Sequence, residues 1–142
     1  MNLIVDASVA IKWFVPEIYW EHAARLQDAP DLYTPDFMLL ECANILSKKV
    51  RRKEIPRDLA DEIQQNLLYL PVQLYPWQDL LLEASDIAHA TYRSVYDCLY
   101  LVLARQLEGR VVTADKKLYL ALETHPEWSG HLLWIEDVLS NT

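Results

Sequence analysis

The sequence predicts an α/β fold in which a mainly parallel sheet is covered by helices on both faces. Short apolar runs of strand length alternate along the chain with helix-length segments, the order that a parallel sheet requires. Runs such as Leu3–Val5 and Val111–Val112 are apolar without alternation, which is typical of strands buried on both faces. With 142 residues, 52% of them hydrophobic, and no linker-like stretch, we expect a single domain over residues 1–142.

Five short segments carry the strand signal, and each lies next to a segment long enough for a helix. Connections of that length join parallel strands, whereas hairpins need only a few residues. The predicted strands are Leu3–Val5, Asp31–Thr34, Val72–Leu74, Arg110–Thr113 and Leu132–Ile135.

Proline, glycine and apolar spacing set the helical segments. Pro35, Pro56 and Pro76 stand where a first turn tolerates proline. The last long helix is apolar on almost every face, which predicts a buried helix, and Gly109 is its expected stop. The predicted helices are Glu17–Asp28, Phe37–Arg52, Pro56–Leu70, Pro76–Tyr92 and Val95–Leu107.

The charge balance, taken alone, argues against a nucleic-acid ligand. The chain has 13 Lys and Arg residues against 21 Asp and Glu residues, a formal net charge of −8. Proteins that bind nucleic acid usually show the opposite, basic balance.

Cysteine usage and hydropathy predict a soluble cytoplasmic protein that does not bind a membrane. Cys42 and Cys98 lack the spacing of a zinc site or a disulfide framework and are interpreted as buried core residues. The apolar run at the N-terminus is too short for the core of a signal peptide. The longest apolar stretch, Cys98–Ala104, falls well short of the ~18 residues of a membrane span.

Four acidic residues stand out as candidate functional residues. Asp6 directly follows the first strand, and Asp115 directly follows the strand Arg110–Thr113 and its neighbour Ala114. Asp97 lies within the otherwise apolar last helix, and Glu41 interrupts an apolar run in the helix from Phe37. Each has a structural alternative: Asp6 and Asp115 as helix caps, Asp97 as part of a cap with Ser94, and Glu41 as a solvated edge residue.

Together, the four acids are explained more simply by a metal site. In open α/β sheets, ligands bind beyond the carboxyl ends of the strands, where Asp6 and Asp115 are expected. Four carboxylates in one pocket would raise each other's pKa values unless a cation neutralised them. Oxygen ligands without Cys or His favour Mg²⁺, with Mn²⁺ as a substitute.

These segments, in this order, resemble the PIN domain, and specifically the VapC-type toxin ribonucleases of type II (VapBC) toxin–antitoxin systems. The matching segments lie between residues 4 and 118. They are Ile4-Val5-Asp6-Ala7-Ser8, Glu41-Cys42-Ala43-Asn44, Tyr96-Asp97-Cys98-Leu99-Tyr100 with Leu103-Ala104, and Thr113-Ala114-Asp115 with Leu118.

The resemblance implies a three-layer α/β/α fold and a Mg²⁺-dependent endoribonuclease. It implies a catalytic set of Asp6, Glu41, Asp97 and Asp115, with Asp6 and Asp97 as metal ligands and the other two as further candidates. Ser8, Asn44 and Thr113 would orient these carboxylates. The implied chemistry is phosphodiester hydrolysis by a metal-activated water, which Glu41 or Asp115 positions or deprotonates. The partners implied are RNA, a VapB-type antitoxin and a second copy of the chain.

A basic cluster offers a local contact for phosphate despite the acidic total. Five of the 13 basic residues fall within six positions of the helix that carries Glu41, and Glu41, Asn44, Lys48 and Arg52 share one stripe of it. The alternative is a solvated helix end that favours cations. The candidate RNA-binding residues are Lys48, Lys49, Arg51, Arg52 and Lys53, with Lys12, Lys116 and Lys117 as weaker candidates.

The aromatic residues and histidines are assigned mostly to packing. The tyrosines, including Tyr96 and Tyr100, are expected in the core or at an interface, although aromatic rings can also stack on bases. Trp13 and Phe14 resemble an exposed apolar end that could meet a partner chain. The four histidines are scattered, which argues against a paired-histidine ribonuclease.

Three other functions remain as alternatives. The first is a PIN-domain nuclease that processes RNA, or acts on DNA, outside a toxin–antitoxin pair. The second is a Mg²⁺-binding phospho-receiver domain, which would need adjacent acids after the first strand and a lysine after the last. The third is a binding module with a degenerate site, against which the presence of all four acids counts.

Overall fold

The computed structural model describes residues 2–29 and 31–138, and within them a five-stranded, all-parallel sheet forms the centre of the molecule. The strands lie in the order β3-β2-β1-β4-β5. The predicted strands are confirmed, with ends that differ by at most one residue. They are β1 (Leu3–Val5), β2 (Leu32–Pro35), β3 (Gln73–Tyr75), β4 (Arg110–Thr113) and β5 (Leu132–Trp134).

The helices fill the connections between these strands. Two further helices that follow strand-end acids, α1 and α7, accompany the five predicted ones. In the described residues the helices are α1 (Ala7–Ala10), α2 (Trp20–Leu26), α3 (Phe37–Arg51), α4 (Arg57–Leu67), α5 (Leu81–Thr91), α6 (Val95–Gln106) and α7 (Lys116–Leu122).

Two helices begin later than their sequence predicts. Helix α2 starts at Trp20 because Tyr19 adopts a left-handed backbone conformation (φ 67°) that an α-helix cannot contain. The segment after Pro76 first forms a 3₁₀ turn over Trp77–Leu80 and only then continues as α5. None of the described helices has the length and apolar character needed to span a bilayer.

The strand order gives three layers. Strands β1, β2 and β3 are added in one direction across the sheet, and β4 and β5 in the other. Since such crossovers are right-handed, the helices after β1 and β2 cover one face, and α5, α6 and α7 cover the opposite face. The predicted α/β/α architecture is confirmed.

Helix α6 and strand β1 form the centre of the core. Ile4 and Val5 are fully buried, and every residue from Cys98 to Ala104 is buried. Such a helix lies against the sheet and a neighbouring helix at once, and α6 packs on β1, β2, β4 and α5. Cys42 and Cys98 are free thiols in this core, as expected.

Gly109 ends the turn after α6 for a reason that differs from the prediction. The left-handed residue there is Glu108 (φ 52°), not the glycine. A Cβ on Gly109 would lie 2.1 Å from the backbone oxygen of Asn2. Glycine is therefore required because the chain entering β4 passes close to the chain entering β1.

The topology creates a crevice at one edge of the sheet. Strand β1 lies between β2 and β4, so the connections that leave β1 and β4 diverge to opposite faces. Ligands in open α/β sheets bind outside the carboxyl ends of the strands at such a switch point.

Candidate active site

Asp6 lies at this switch point and is almost completely buried. It caps α1, and its Oδ1 accepts hydrogen bonds from the Ser8 hydroxyl at 2.6 Å and the Val9 N–H at 3.2 Å. The Thr113 hydroxyl donates another hydrogen bond to this carboxylate. Burial nevertheless raises the pKa of Asp6 to about 7, since these donors only partly replace the lost hydration.

Ser8 and Thr113 connect the loops after β1 and β4. Ser8 Oγ accepts a hydrogen bond from the Ala114 N–H at 3.0 Å while its hydroxyl donates to Asp6. Thr113 is fully buried, and its Oγ1 accepts from the Asp115 N–H at 3.0 Å. The two hydroxyls thus fix the Asp6 carboxylate relative to the segment that carries Asp115.

Glu41 projects from the middle of α3 and is held by a tyrosine of α6. The Tyr100 hydroxyl donates a hydrogen bond to Glu41 Oε1 at 2.5 Å. Partial burial raises the pKa of Glu41, the Tyr100 hydrogen bond lowers it, and the charges of Asp97 and Asp115 raise it further. The pKa of Tyr100 lies well above its usual range because the ring is buried beside carboxylates, so the hydroxyl remains a donor.

Tyr100 is the site residue that the sequence analysis did not identify. It was expected to be a core aromatic residue, and its ring is indeed buried. The available signal was its position one turn after Asp97 on the same helix, since residues three apart share a face.

Asp97 lies in the first turn of α6, which Ser94 caps by accepting a hydrogen bond from the Asp97 N–H at 3.0 Å. Ser94 is therefore the cap of this segment, and its hydroxyl also donates a hydrogen bond to the Asp97 carboxylate, in line with the predicted cap of Asp97 with Ser94. Partial burial and the charge of Asp115 raise the pKa of Asp97, while Arg93 and Ser94 lower it.

Asp115 caps α7. Its Oδ1 accepts hydrogen bonds from the Lys117 N–H at 3.0 Å and the Leu118 N–H at 3.2 Å. The capping interpretations of Asp6 and Asp115 are thus correct, and they coexist with a position in the acidic cluster.

The four carboxylates share one electrostatic environment. Each is close enough to another for its charge to raise a neighbour's pKa, which links Asp6 to Glu41, Glu41 to Asp97 and Asp115, and Asp97 to Asp115. Among residues 2–29 and 31–138, none of the four forms an ion pair with Lys, Arg or His. The cluster therefore keeps an excess of negative charge, which the more distant charge of Arg93 offsets only in part at Asp97.

The donor chemistry of this cluster fits Mg²⁺ or Mn²⁺. In the part of the chain that the structure describes, no group of three or more His, Cys, Asp or Glu side chains is arranged to hold a metal ion, so a complete set of protein ligands is absent. Magnesium does not need one, because it is usually held by one or two carboxylates and keeps several waters. A zinc site, by contrast, would use about three or four protein ligands.

Asn44 is the least engaged of the predicted site residues. It lies one turn after Glu41 on α3, is exposed, and makes no side-chain hydrogen bond to the described residues. Its proposed part in orienting Glu41 has no contact to support it.

Two of the candidate basic residues form internal ion pairs with the same glutamate. Glu17 accepts from Lys49 Nζ at 2.7 Å and from Lys12 Nζ at 3.0 Å, and both lysines are largely buried. Burial opposes the charge of Glu17, but the hydrogen bonds from Lys49 and Lys12 outweigh this effect and lower its pKa. Lys12, in the 3₁₀ turn after α1, and Lys49 of α3 therefore both bind the loop that carries Glu17, and neither is available at the surface.

The remaining members of the basic cluster are exposed. Lys48, Arg51, Arg52 and Lys53 lie at the C-terminal end of α3 and in the turn after it. Trp13 and Phe14, in contrast, pack against the core, and the Trp13 indole donates to the Ala23 carbonyl. The expectation that these two aromatic residues form an exposed end is wrong.

The sequence of this chain matches a known protein family and a known ribonuclease. The sequence profile of the PIN domain matches residues 3–121. Ribonuclease VapC3 of Pyrobaculum aerophilum is 32% identical over 121 residues, which cover 83% of this chain and 92% of that protein.

Two solved structures show the same fold at low sequence identity. Mycobacterium tuberculosis VapC20, described as a toxin that cleaves the sarcin-ricin loop, aligns with a TM-score of 0.65 and 18% identity, over 84% of this chain and 95% of that chain. VapBC2 from Rickettsia felis, bound to a DNA fragment from its promoter, aligns with a TM-score of 0.60 and 10% identity, over 94% of this chain and 98% of that chain.

Proposed function

Because the chain belongs to the PIN domain family, we propose that its four clustered carboxylates form the site of a divalent-metal-dependent endoribonuclease, the toxin of a VapBC-type toxin–antitoxin pair. The main support is that Asp6, Glu41, Asp97 and Asp115 lie close enough at one sheet edge to raise one another's pKa values, while none of them forms a salt bridge with a described Lys, Arg or His. The similarity to a VapC ribonuclease supplies the substrate class.

The proposed metal ligands are Asp6 and Asp97, with Mg²⁺ as the ion and Mn²⁺ as a substitute. Asp6 is buried and oriented by two hydroxyls, and Asp97 has its helix cap supplied by Ser94, so that both carboxylates are available to an ion. When bound there, the cation would supply Lewis-acid stabilisation of charge on the scissile phosphate and a lower pKa for the attacking water.

Three hydroxyl groups of the protein orient carboxylates of this site in the absence of substrate. Ser8 and Thr113 fix one carboxylate orientation of Asp6, because each hydroxyl is itself held by an N–H of the β4 loop. Tyr100 fixes Glu41 through one oxygen and leaves the other to accept a proton from water. We assign the base to Glu41 over Asp115, since partial burial raises the pKa of Glu41 toward the range of a general base, while Asp115 serves as the cap of α7.

The exposed end of α3 is proposed to guide the RNA. Lys48 and Arg52 follow Glu41 on the same helix by about 10 and 16 Å along the axis. Their charges are local, so the net charge of −8 does not prevent attraction of phosphate at this end of the molecule. Arg51 and Lys53 extend the same surface.

A VapB-type antitoxin, a homodimeric state and a cytoplasmic location complete the proposal. The structural match to a VapBC complex supports the antitoxin partner. Exposed apolar side chains such as Leu40 and Tyr96 lie directly beside Glu41 and Asp97, where a bound protein would cover the site. Light scattering of the purified chain, alone and with its antitoxin, would test both assemblies.

The decisive experiment is cleavage of single-stranded RNA by the purified protein with Mg²⁺, with Mn²⁺ and with EDTA. We expect Asp6→Asn and Asp97→Asn to remove the metal-dependent cleavage. Asp31→Asn is the matched control, because Asp31 is an exposed acid at the opposite end of the strands. Cleavage that survives both chelation and the two site substitutions would overturn the proposal.

A further inference from the structure

A cleft lined by aromatic residues, the aromatic cleft, opens at the carboxyl end of β5. Its volume is about 190 Å³, and it lies between the loop before α2, helix α7 and the end of β5. Its walls are Tyr19, Lys116, Tyr119, Leu120, Trp134 and Glu136. None of these residues belongs to the acidic site.

The sheet register places this cleft next to the acidic site. Trp134 of β5 pairs with Thr113 of β4, and Val112 pairs with Val5, the residue before Asp6. Asp6, Thr113 and Trp134 therefore form one row across three neighbouring strands. At ~5 Å between strands, Trp134 stands about 5 Å from Thr113 and about 10 Å from Asp6 along this row.

The aromatic walls are fixed relative to one another. Trp134 meets Tyr119 at a ring distance of 5.5 Å and Tyr19 edge-on at 5.8 Å. Glu136 holds two of these rings, since it accepts from the Trp134 indole N–H at 2.9 Å and from the Tyr19 hydroxyl. The rings are thus preorganised and lose little side-chain freedom when a ligand stacks on them.

The polar rim of the cleft has the chemistry of a nucleotide site. Lys116 is exposed, lines the cleft and directly follows Asp115 in the chain, and its positive charge acts on Glu136 of the same cleft. The Glu136 carboxylate can accept hydrogen bonds from the amino groups of a base. The volume is below the roughly 300 Å³ at which drug-sized pockets begin, which suits one flat ring system.

We propose that the aromatic cleft receives one unpaired nucleobase of the RNA substrate, stacked on Trp134 and in contact with the inclined ring of Tyr119, next to the phosphate that is hydrolysed at the acidic site. The proposal rests on the proposed function and assigns a flanking subsite to it. Lys116 contacts the phosphate between the stacked base and the cut. A stacked base is recognised by its π-face, so this subsite contributes affinity and register more than sequence selectivity.

The test uses short single-stranded RNAs that carry 2-aminopurine at successive positions, bound to the full chain with Asp97→Asn so that nothing is cut. We expect the fluorescence of one position to be quenched by stacking. Trp134→Leu and Tyr119→Leu should remove that quenching and weaken binding by about 5- to 150-fold, the range for loss of one stacked base. Trp134→Phe keeps an aromatic face and should retain the quenching.

Tyr69→Leu is the control, since Tyr69 is exposed and lies on the side of the sheet where the strands begin. If Trp134→Leu fails to fold by circular dichroism, Tyr119→Leu on the surface of α7 carries the test. Unchanged quenching and affinity in the cleft variants, or no quenched position at all, overturns the proposal. The proposal is also overturned if these variants lose a copurifying protein partner while their RNA binding is unchanged.

This experiment separates the subsite from the activity. Cleavage of unlabelled RNA by the unaltered protein tests the proposed function, whereas the binding measurement contains no cleavage step. A protein that cleaves RNA but shows no stacked base contradicts the subsite alone. A protein that stacks a base but never cleaves RNA contradicts the nuclease.

Discussion

The carboxylate of Asp6 is buried where its charge is unfavourable in the absence of a cation. Its pKa of about 7 means that the folded protein binds a proton that the unfolded chain releases near pH 4. Below that pH both states are protonated and the effect vanishes. As the pH rises toward 7 the unfolded state is increasingly favoured, so the metal-free protein loses stability over this window.

We therefore predict that Asp6→Asn stabilises the protein in EDTA while removing its activity. The gain in melting temperature should vanish below about pH 4, grow steadily between about pH 4 and 7, and reach at least ~3 °C at about pH 8. Added Mg²⁺ should raise the melting temperature of the unaltered protein and not that of the variant. Asp31→Asn serves as the control. A gain in the melting temperature of Asp6→Asn that does not depend on pH would contradict the assignment to the Asp6 carboxylate.

Tyr100 acts on Glu41 through a single hydroxyl, which makes it a positioning residue. For Tyr100→Phe we predict a fall in kcat of about 10-fold with little change in KM, because the water-positioning carboxylate is no longer held. Loss of the hydrogen bond should also raise the pKa of Glu41 and move the acidic limb of the kcat profile to higher pH. Tyr33→Phe on β2 is the matched control. If the pH profile of kcat does not shift in Tyr100→Phe, Tyr100 has only a packing role.

Individual residues also show where the sequence is insufficient. Asp6 and Asp115 could be identified because each follows a predicted strand, and parallel strands end at the same sheet edge. Tyr100 could not be distinguished from a core ring, since its partner Glu41 lies on another helix, 59 positions away. Lys12 and Lys49 have the appearance of surface cations until the fold brings Glu17 between them.

At the scale of elements, the sequence predicts strands more sharply than helix ends. A buried parallel strand must be apolar throughout, and runs such as Leu3–Val5 have polar residues on both sides. Helix ends depend on local conformations that sequence indicates weakly, such as the left-handed Tyr19 before α2 and Glu108 after α6.

The turn after α6 provides a test at this scale. Gly109→Ala would place its Cβ against the backbone of Asn2, and we predict a loss of about 1–3 kcal/mol in the free energy of unfolding. Gly130→Ala is the matched control, because a Cβ there meets open space and the change should be neutral or slightly stabilising. Urea denaturation measures both, and equal stabilities for the two variants would remove the close-approach argument.

Across the whole molecule, the net charge of −8 is unevenly distributed, and clusters of acidic and basic residues lie in different places. The acids at the sheet edge repel one another and attract a cation, while four exposed bases lie together at the end of α3. The net charge thus does not determine whether RNA is bound, and the local arrangement does.

We accordingly predict modest RNA affinity with a weak salt dependence. Contacts of the four exposed bases at the end of α3 and of Lys116 with up to five phosphates give a slope of log affinity against log salt of about −3.5 or shallower for single strands. Lys48→Gln combined with Arg52→Gln should reduce that slope by about 1.4. Lys49→Gln should leave the slope unchanged and lower stability, because Lys49 pairs with Glu17. If Lys49→Gln lowers the slope by as much as each change in the double variant does, Lys49 contacts phosphate and the distinction between surface and buried bases is wrong.

The place of β4 beside β1 also makes the proposed site depend on the C-terminal part of the chain. Strand β4 follows β1 at a long distance in sequence, and its Thr113 contacts both the Asp6 carboxylate and the Asp115 N–H. A chain that ends before β4 carries Asp6, Glu41 and Asp97 but lacks the residues that fix Asp6 relative to Asp115. We therefore expect a fragment truncated before β4 to lack the proposed cutting site, although three of its four acids are present.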